Sequence, residues 1–385
     1  MMNYNHPARH DCTIIIKVMC AVVFVVFSFL WLYFFQADLL AVVQHMLSHG
    51  QTSYNRLVGA VLITAILQLL QTGVYSLARL RKYSHALTYF PSMLVLAVLT
   101  SAGQNMTSGM SFGRWLWLLP LLLVVWVGTV WMARKVQPYE SGNRSGLFSR
   151  PMWINMLIMV LMTVGVTAAS NTNAVFHFRS HVETALLAHD YDEALRVGDC
   201  SLETDGNLMM LRMYALSRKG QLGERLFEYP LLTSSDAMLP TGGTVCMMRY
   251  PTDSLYRHVG AIPRHPMHPM EYLKTIIRSK QAKPAAIDYL LCGYLIDKDL
   301  DSFAREIGNY YTVNDSLPRY YREALVLYTH RRSHPVVVYH DAVLDVDYQD
   351  LQQLEAQHVL PSERKGKVLE HYANSYWYYF EYTDK

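Results

Sequence analysis

Carboxylates are scarce at one end of this 385-residue chain. Among the first 170 residues only Asp11, Asp38 and Glu140 are acidic, against eleven Lys and Arg, a net charge of +8. The remaining 215 residues hold 23 bases and 28 acids, a net of −5. So few carboxylates cannot give the first part the mixed-charge surface of a water-soluble globule, but they suit lipid, where each charge costs several kcal/mol. Cysteine is also sparse, and three of the five, Cys200, Cys246 and Cys292, fall in the acidic part. An odd number excludes complete pairing into disulfides, so buried thiols acting as small hydrophobes are expected. Signatures of chemistry are missing as well: there is no zinc-protease histidine pair, nucleophile elbow, Walker loop or dinucleotide fingerprint. Ser362 and Lys365 have the spacing of a penicillin-binding enzyme, yet they sit at a charged helix start where Ser362 reads as an N-cap. The acidic second part carries no basic stripe, which argues against nucleic acid as a partner.

What is present in the first part is apolar length. A helix needs about 20 apolar residues to cross a hydrocarbon core of roughly 30 Å. Runs at about 13–35, 57–78, 89–102, 115–132 and 152–169 give a transmembrane domain, residues 1–170, of about five helices with the bilayer as its partner. The first run is expected to be an anchor, since its apolar core exceeds that of a signal peptide. None of the five contains a carboxylate or histidine to relay an ion, which argues against coupled transport. Basic residues cluster at Arg9 and Lys17, at Arg79, Arg81 and Lys82, and at Arg134, Lys135, Arg144 and Arg150. Because such residues resist translocation, the N-terminus is expected in the cytoplasm and everything after Asn171 on the far side, in the periplasm of a bacterial cell. Between the first two runs, Leu39, Leu40, Val43, Met46 and Leu47 have the spacing of an amphipathic helix on the outer leaflet, opened by Asp38 as an N-cap.

The soluble domain, 171–385, opens with Asp190-Tyr191-Asp192-Glu193-Ala194-Leu195 and the turn Asp205-Gly206-Asn207. A second copy follows at Lys298-Asp299-Leu300-Asp301-Ser302-Phe303-Ala304. Both resemble the second helix of a tetratricopeptide repeat; Phe303 stands where the small alanine is expected in the second copy, and Arg225 does so in the hairpin Leu208 to Tyr229 that follows the first. The resemblance implies an array of helical hairpins in which Tyr191, Ala194, Leu195, Leu300, Phe303 and Ala304 pack between helices, and a surface for another protein or peptide. Between the copies, about 230–270 has no sustained period and is dense in proline and glycine, so it is expected to be an irregular insertion, with mobility or ordinary packing preferred to a functional role. Within it, His265, Met267, His268 and Met270 are soft donors of the kind copper takes. The competing and preferred reading is a proline-stiffened loop, with no metal or cofactor.

The chain closes on aromatics, Tyr372, Tyr376, Trp377, Tyr378, Tyr379, Phe380 and Tyr382. They either cap the last hydrophobic face of the array or, through Tyr372, Tyr376 and Trp377, offer a partner surface. Val336 to Tyr339 reads as a short strand. The expected fold is therefore all-α: a membrane bundle followed by a tetratricopeptide-like array. As a whole the chain resembles uncharacterised multi-spanning bacterial inner-membrane proteins with such a domain outside, a likeness that brings no activity. A membrane-anchored interaction or scaffold module is the leading functional expectation. Glycosyl transfer from a lipid-linked sugar, with Asp38 as the acidic residue of an outer loop, and metal or small-molecule sensing are the alternatives.

Overall fold

The computed structural model describes residues 8–80, 83–101, 113, 115–136, 149–358 and 360–383. Among them every regular element is helical, and the chain divides into two compact units, Met1–Asn173 and Ala174–Lys385.

In the first unit, α1 (Ala8–Leu30) continues through a π-helical turn, Trp31–Phe35, into the short α2 (Ala37–Leu47). Then come α3 (Arg56–Ala78), a 3-10 turn at His85–Tyr89 leading into α4 (Phe90–Thr100), α5 (Trp115–Val136) and α6 (Arg150–Ala169). Local chemistry sets several of these ends. Asn55 caps α3 by accepting from Leu57 N and Val58 N at 3.1 and 3.2 Å, and Arg79 ends that helix in the left-handed region. Pro91 and Pro151 occupy first-turn positions, where the missing N–H is no loss.

Four segments, Ile14–Phe35, Arg56–Ala78, Trp115–Val136 and Arg150–Ala169, are long and apolar enough to cross a membrane. The expected third span differs: His85–Thr100 is apolar but shorter, roughly 24 Å at 1.5 Å per residue. Its hydrogen bonds nevertheless tie it to both ends of its neighbours. Asn155 Oδ1, near the start of α6, accepts from Ala86 N at 2.7 Å, and at the other end Asn171 N donates to Thr100 O at 2.8 Å while the Thr100 and Ser170 hydroxyls meet at 2.6 Å. The helix therefore runs alongside α6 in the same direction. Against α3 it runs the opposite way, with Gln71 Nε2 donating to Thr88 Oγ1 and Ser92 Oγ to Leu67 O. Gln36 Nε2 reaches Asn171 O, so the extended first helix finishes at the same level as α4 and α6. Arg134 donates to the last carbonyls of α3, Leu77 O and Ala78 O, which sets the end of α5 at the opposite level. A helix forms at α2, but its buried residues are Leu39, Leu40 and Val42 while Leu47 is exposed, and Gln36 rather than Asp38 stands at the N-cap, with Asp38 inside the first turn.

In the second unit, α7 (Ala174–Leu187) and α8 (Tyr191–Arg196) form a hairpin, followed by α9 (Gly206–Arg218) and the single turn α10 (Leu222–Arg225). After an irregular stretch come α11 (Thr252–Val259), α12 (Pro269–Arg278), α13 (Pro284–Ile296), α14 (Leu300–Tyr310) and α15 (Arg319–Arg331). The chain ends in α16 (Ala342–Gln357), α17 (Pro361–Tyr372) and α18 (Tyr376–Tyr382).

One turn recurs four times. His189, Gly220, Lys280 and Lys298 all have positive φ directly after a helix, and in each case the next residue donates back to a helix carbonyl: Asp190 to Ala185, Gln221 to Leu216, Gln281 to Ile276 and Asp299 to Tyr294, at 2.8–2.9 Å. These are Schellman closures, which satisfy the last carbonyls and reverse the chain. Asp190 and Asp299 then cap the next helices, accepting from Glu193 N and Ser302 N at 3.0 Å. The two sequence copies thus fold into the same hairpin corner. Ala194, Leu195, Leu300, Phe303 and Ala304 are buried, and Tyr191 is partly buried beneath the Arg218 guanidinium. The central helices α9 and α13 are buried on nearly all sides, and each large apolar side chain so removed from water contributes about 1.5–3 kcal/mol.

The stretch 230–270, irregular apart from α11 and short 3-10 turns, is packed into the core, because buried polar groups pin its backbone. Glu183 of α7 is fully buried and accepts from Met248 N, Arg249 N and Tyr250 N, while Asp297 accepts from Ser235 N and Ser235 Oγ. Val336 to Tyr339 is not a strand. Tyr328 OH and Thr329 Oγ1 on α15 accept from Val336 N and Tyr339 N, so this backbone is satisfied by side chains instead of a ladder.

Candidate functional site

A cleft of about 860 Å³ is formed by the start of α15, by α16 and by the α17–α18 junction. Its size falls within the range that holds small molecules or peptide side chains. Ser375 shapes one edge: it caps α18 by accepting from Tyr378 N at 3.1 Å and donates its hydroxyl to Tyr372 O at 2.8 Å. Glu323, 1% exposed, holds that edge in place. Its carboxylate accepts from Tyr376 N and Arg319 Nε, both at 2.7 Å, and its backbone carbonyl accepts from Trp377 Nε1 at 2.9 Å. Burial pushes the Glu323 carboxyl above its usual range, with the Arg319 guanidinium opposing.

The lining is apolar at Leu344, Leu354 and Trp377 and acidic at Asp347, Asp350 and Glu370. The acids differ in their surroundings. Glu370 pairs with Lys367 at 2.8 Å. Elsewhere on the same hairpin Asp341 pairs with Arg322 at 3.0 Å, and Asp345 is flanked by His330 and His340 at 3.0 and 3.1 Å. Asp347 and Asp350 have no ion-pair partner among the described residues.

The structure separates the residues the sequence singled out. Tyr372 lies at the cleft, its hydroxyl donating to Asp347 O at 3.3 Å. Tyr376 and Trp377 are buried, so the aromatic run does not form a partner surface as such. Rings of Tyr376 and Tyr379 pack on Phe227 instead, closing the core as a final cap does. The acidic lining is not legible in the sequence, where Asp347 and Asp350 are two among many acids of the second unit.

Within 264–270 the donors have different environments. His265 is exposed, His268 pairs with Asp236 at 2.8 Å, and Met270 is buried with its sulfur against Gly293. No group of three or more His, Cys, Asp or Glu among the described residues is placed to hold a metal. Asp38 stands in the first turn of α2 and pairs with Arg56 at 2.8 Å, joining α2 to the start of α3.

All four helices of the cleft lie in the C-terminal stretch. Residues 264–383 match a family of unknown function (DUF6057). The matched stretch begins just before α12 and ends just after α18, so it contains the whole cleft and none of the membrane unit. No curated protein and no solved structure matches the chain.

Proposed function

We propose that this protein is a membrane-anchored interaction module: a bundle in the bacterial inner membrane that carries a tetratricopeptide-like array on the non-cytoplasmic face, where the C-terminal cleft holds a segment of another protein. The observation that carries the reading is the cleft itself, an open groove at the end of an array of helical hairpins, walled by three helices and floored by a rigid buried carboxylate. Helical arrays use such concave faces to hold peptides. The likeness of the corners at Asp190 and Asp299, each a Schellman closure followed by an aspartate cap, supports the repeat assignment.

The orientation rests on α4 as a fifth crossing. The two ends of the apolar segment His85–Thr100, the 3-10 turn together with α4, are level with Asn155 and Ser170 of α6, a helix long enough to span, so the segment covers most of the same thickness. A short helix is tolerated in a bilayer at modest cost through local thinning. With basic residues at the cytoplasmic ends of α1, α3 and α5, five crossings deliver the array to the opposite side.

Photocrosslinking in native membranes tests the function. A benzoylphenylalanine in place of exposed Asn374 at the cleft is expected to give a discrete protein adduct, and one in place of exposed Lys280 is not. No adduct from position 374, or the same adducts from both, would contradict the reading.

A further inference from the structure

We propose that the segment held in the cleft is an extended peptide presenting lysine or arginine side chains, which seat their charged ends between Asp347, Asp350 and Glu370 and their methylene stems along Leu344 and Leu354. This rests on the reading that the cleft holds a protein segment and goes on to name its chemistry. Asp347 and Asp350 are three residues apart on α16, so their carboxylates sit one above the other on the face turned to the cleft. Like charges at that spacing destabilise a helix, and here nothing in the described chain offsets them. The contrast within one helix is what points outward: on the same hairpin Asp341 is paired with Arg322, and Asp345 lies within hydrogen-bond distance of His330 and His340. Glu370 lines the facing wall on α17 beside His371 and is paired with Lys367, so the unpaired acids are Asp347 and Asp350, while the lining guanidinium, Arg319, is already engaged with Glu323.

The apolar part of the lining distinguishes a peptide from a bare cation. Long basic side chains lay their stems on apolar surface while the charged end stays polar, and this groove offers both kinds of surface within about 860 Å³. A free inorganic cation would need oxygen ligands converging on one point, and no such cluster exists among the described residues.

The test uses the full chain in detergent micelles and two fluorescein-labelled heptapeptides of alternating glycine and lysine or glycine and glutamate, read by anisotropy. The lysine peptide is expected to bind, to weaken at least tenfold in Asp347→Asn/Asp350→Asn, and to weaken with added salt. Asp253→Asn/Glu271→Gln removes two exposed acids elsewhere on the same unit and is expected to leave binding unchanged. No binding of the lysine peptide, equal binding of the glutamate peptide, or equal weakening by the two double variants would overturn the proposal. Crosslinking from position 374 separates this outcome from failure of the underlying reading. An adduct whose yield is unaffected by Asp347→Asn/Asp350→Asn keeps the cleft as a partner site and removes the cationic assignment, whereas absence of any adduct removes both.

Discussion

The two units sort their residues in opposite directions. In the first, large apolar side chains such as Leu69, Leu77, Trp117 and Val124 face outward, while Gln71, Thr88, Ser92, Thr100 and Asn155 are buried between helices. In the second, Leu211, Leu291, Leu325 and Phe303 are buried and most acids and bases face outward. Water imposes the second arrangement, because apolar burial is what stabilises it. Lipid tails are as apolar as leucine, so the bundle is held instead by close packing and by hydrogen bonds between helices. The polar groups buried in the second unit have a different task. Glu183, Glu323 and Asp297 bind backbone N–H groups of segments far away in sequence, and so fix irregular chain that no helix ladder satisfies.

Substitutions break or sharpen this contrast. The largest loss is expected from Glu183→Ala, which leaves three backbone donors and Arg179 without their buried carboxylate and costs about 3–5 kcal/mol. Hydrogen exchange checks it: amides of Met248, Arg249 and Tyr250 should lose protection, and unchanged exchange would remove Glu183 as the anchor. Phe303→Ala empties a fully buried ring site between hairpins and should cost the second unit about 3 kcal/mol or more, seen as a lowered melting temperature by circular dichroism.

Acid should loosen the second unit through His258, whose imidazole is lowered to about 4, first by burial and then by the Arg218 and Lys283 charges. The unfolded chain takes up that proton near pH 6.5 and the folded chain does not, so stability is full above pH 6.5 and falls as pH drops toward 4. Discounted for partial exposure, the loss is about 1 kcal/mol. Melting at pH 7 and pH 5 should differ less in His258→Asn, and an equal difference would remove His258 as the sensor. In the bundle the effects are smaller. Asn155→Leu forfeits the bonds to Ala86 N and Pro151 O at about 0.6 kcal/mol, at most about 1.7, when unfolding is followed in micelles. Leu121→Ala on the outward face should change stability by less than about 0.5 kcal/mol. A loss as large as that of Phe303→Ala would mean that Leu121 faces protein.

How much of this the sequence carried depends on the kind of constraint. Length and apolarity marked four of the spans, because crossing lipid leaves few alternatives. The likeness of Asp190–Leu195 to Lys298–Ala304 marked two hairpins in the sequence, and the aspartate caps that set their corners emerge only from the backbone geometry. For the segment 230–270 the choice between mobility and ordinary packing stayed open, because its order comes from Glu183 and Asp297, side chains far away in the chain. Tyr376 and Trp377 stayed open between a core cap and a partner surface because composition cannot say which side of an aromatic helix meets the core. Asp347 and Asp350 passed unnoticed because their unpaired state is a property of the packed hairpin rather than of spacing.

Cys200 is exposed in the second unit and reports directly on which side of the membrane the array lies. In spheroplasts of a bacterial host expressing the full chain, five crossings predict that a membrane-impermeant maleimide labels the protein without lysis and that Cys200→Ser abolishes most of the label. Labelling that requires lysis would contradict the arrangement and return the bundle to four crossings, with the array in the cytoplasm.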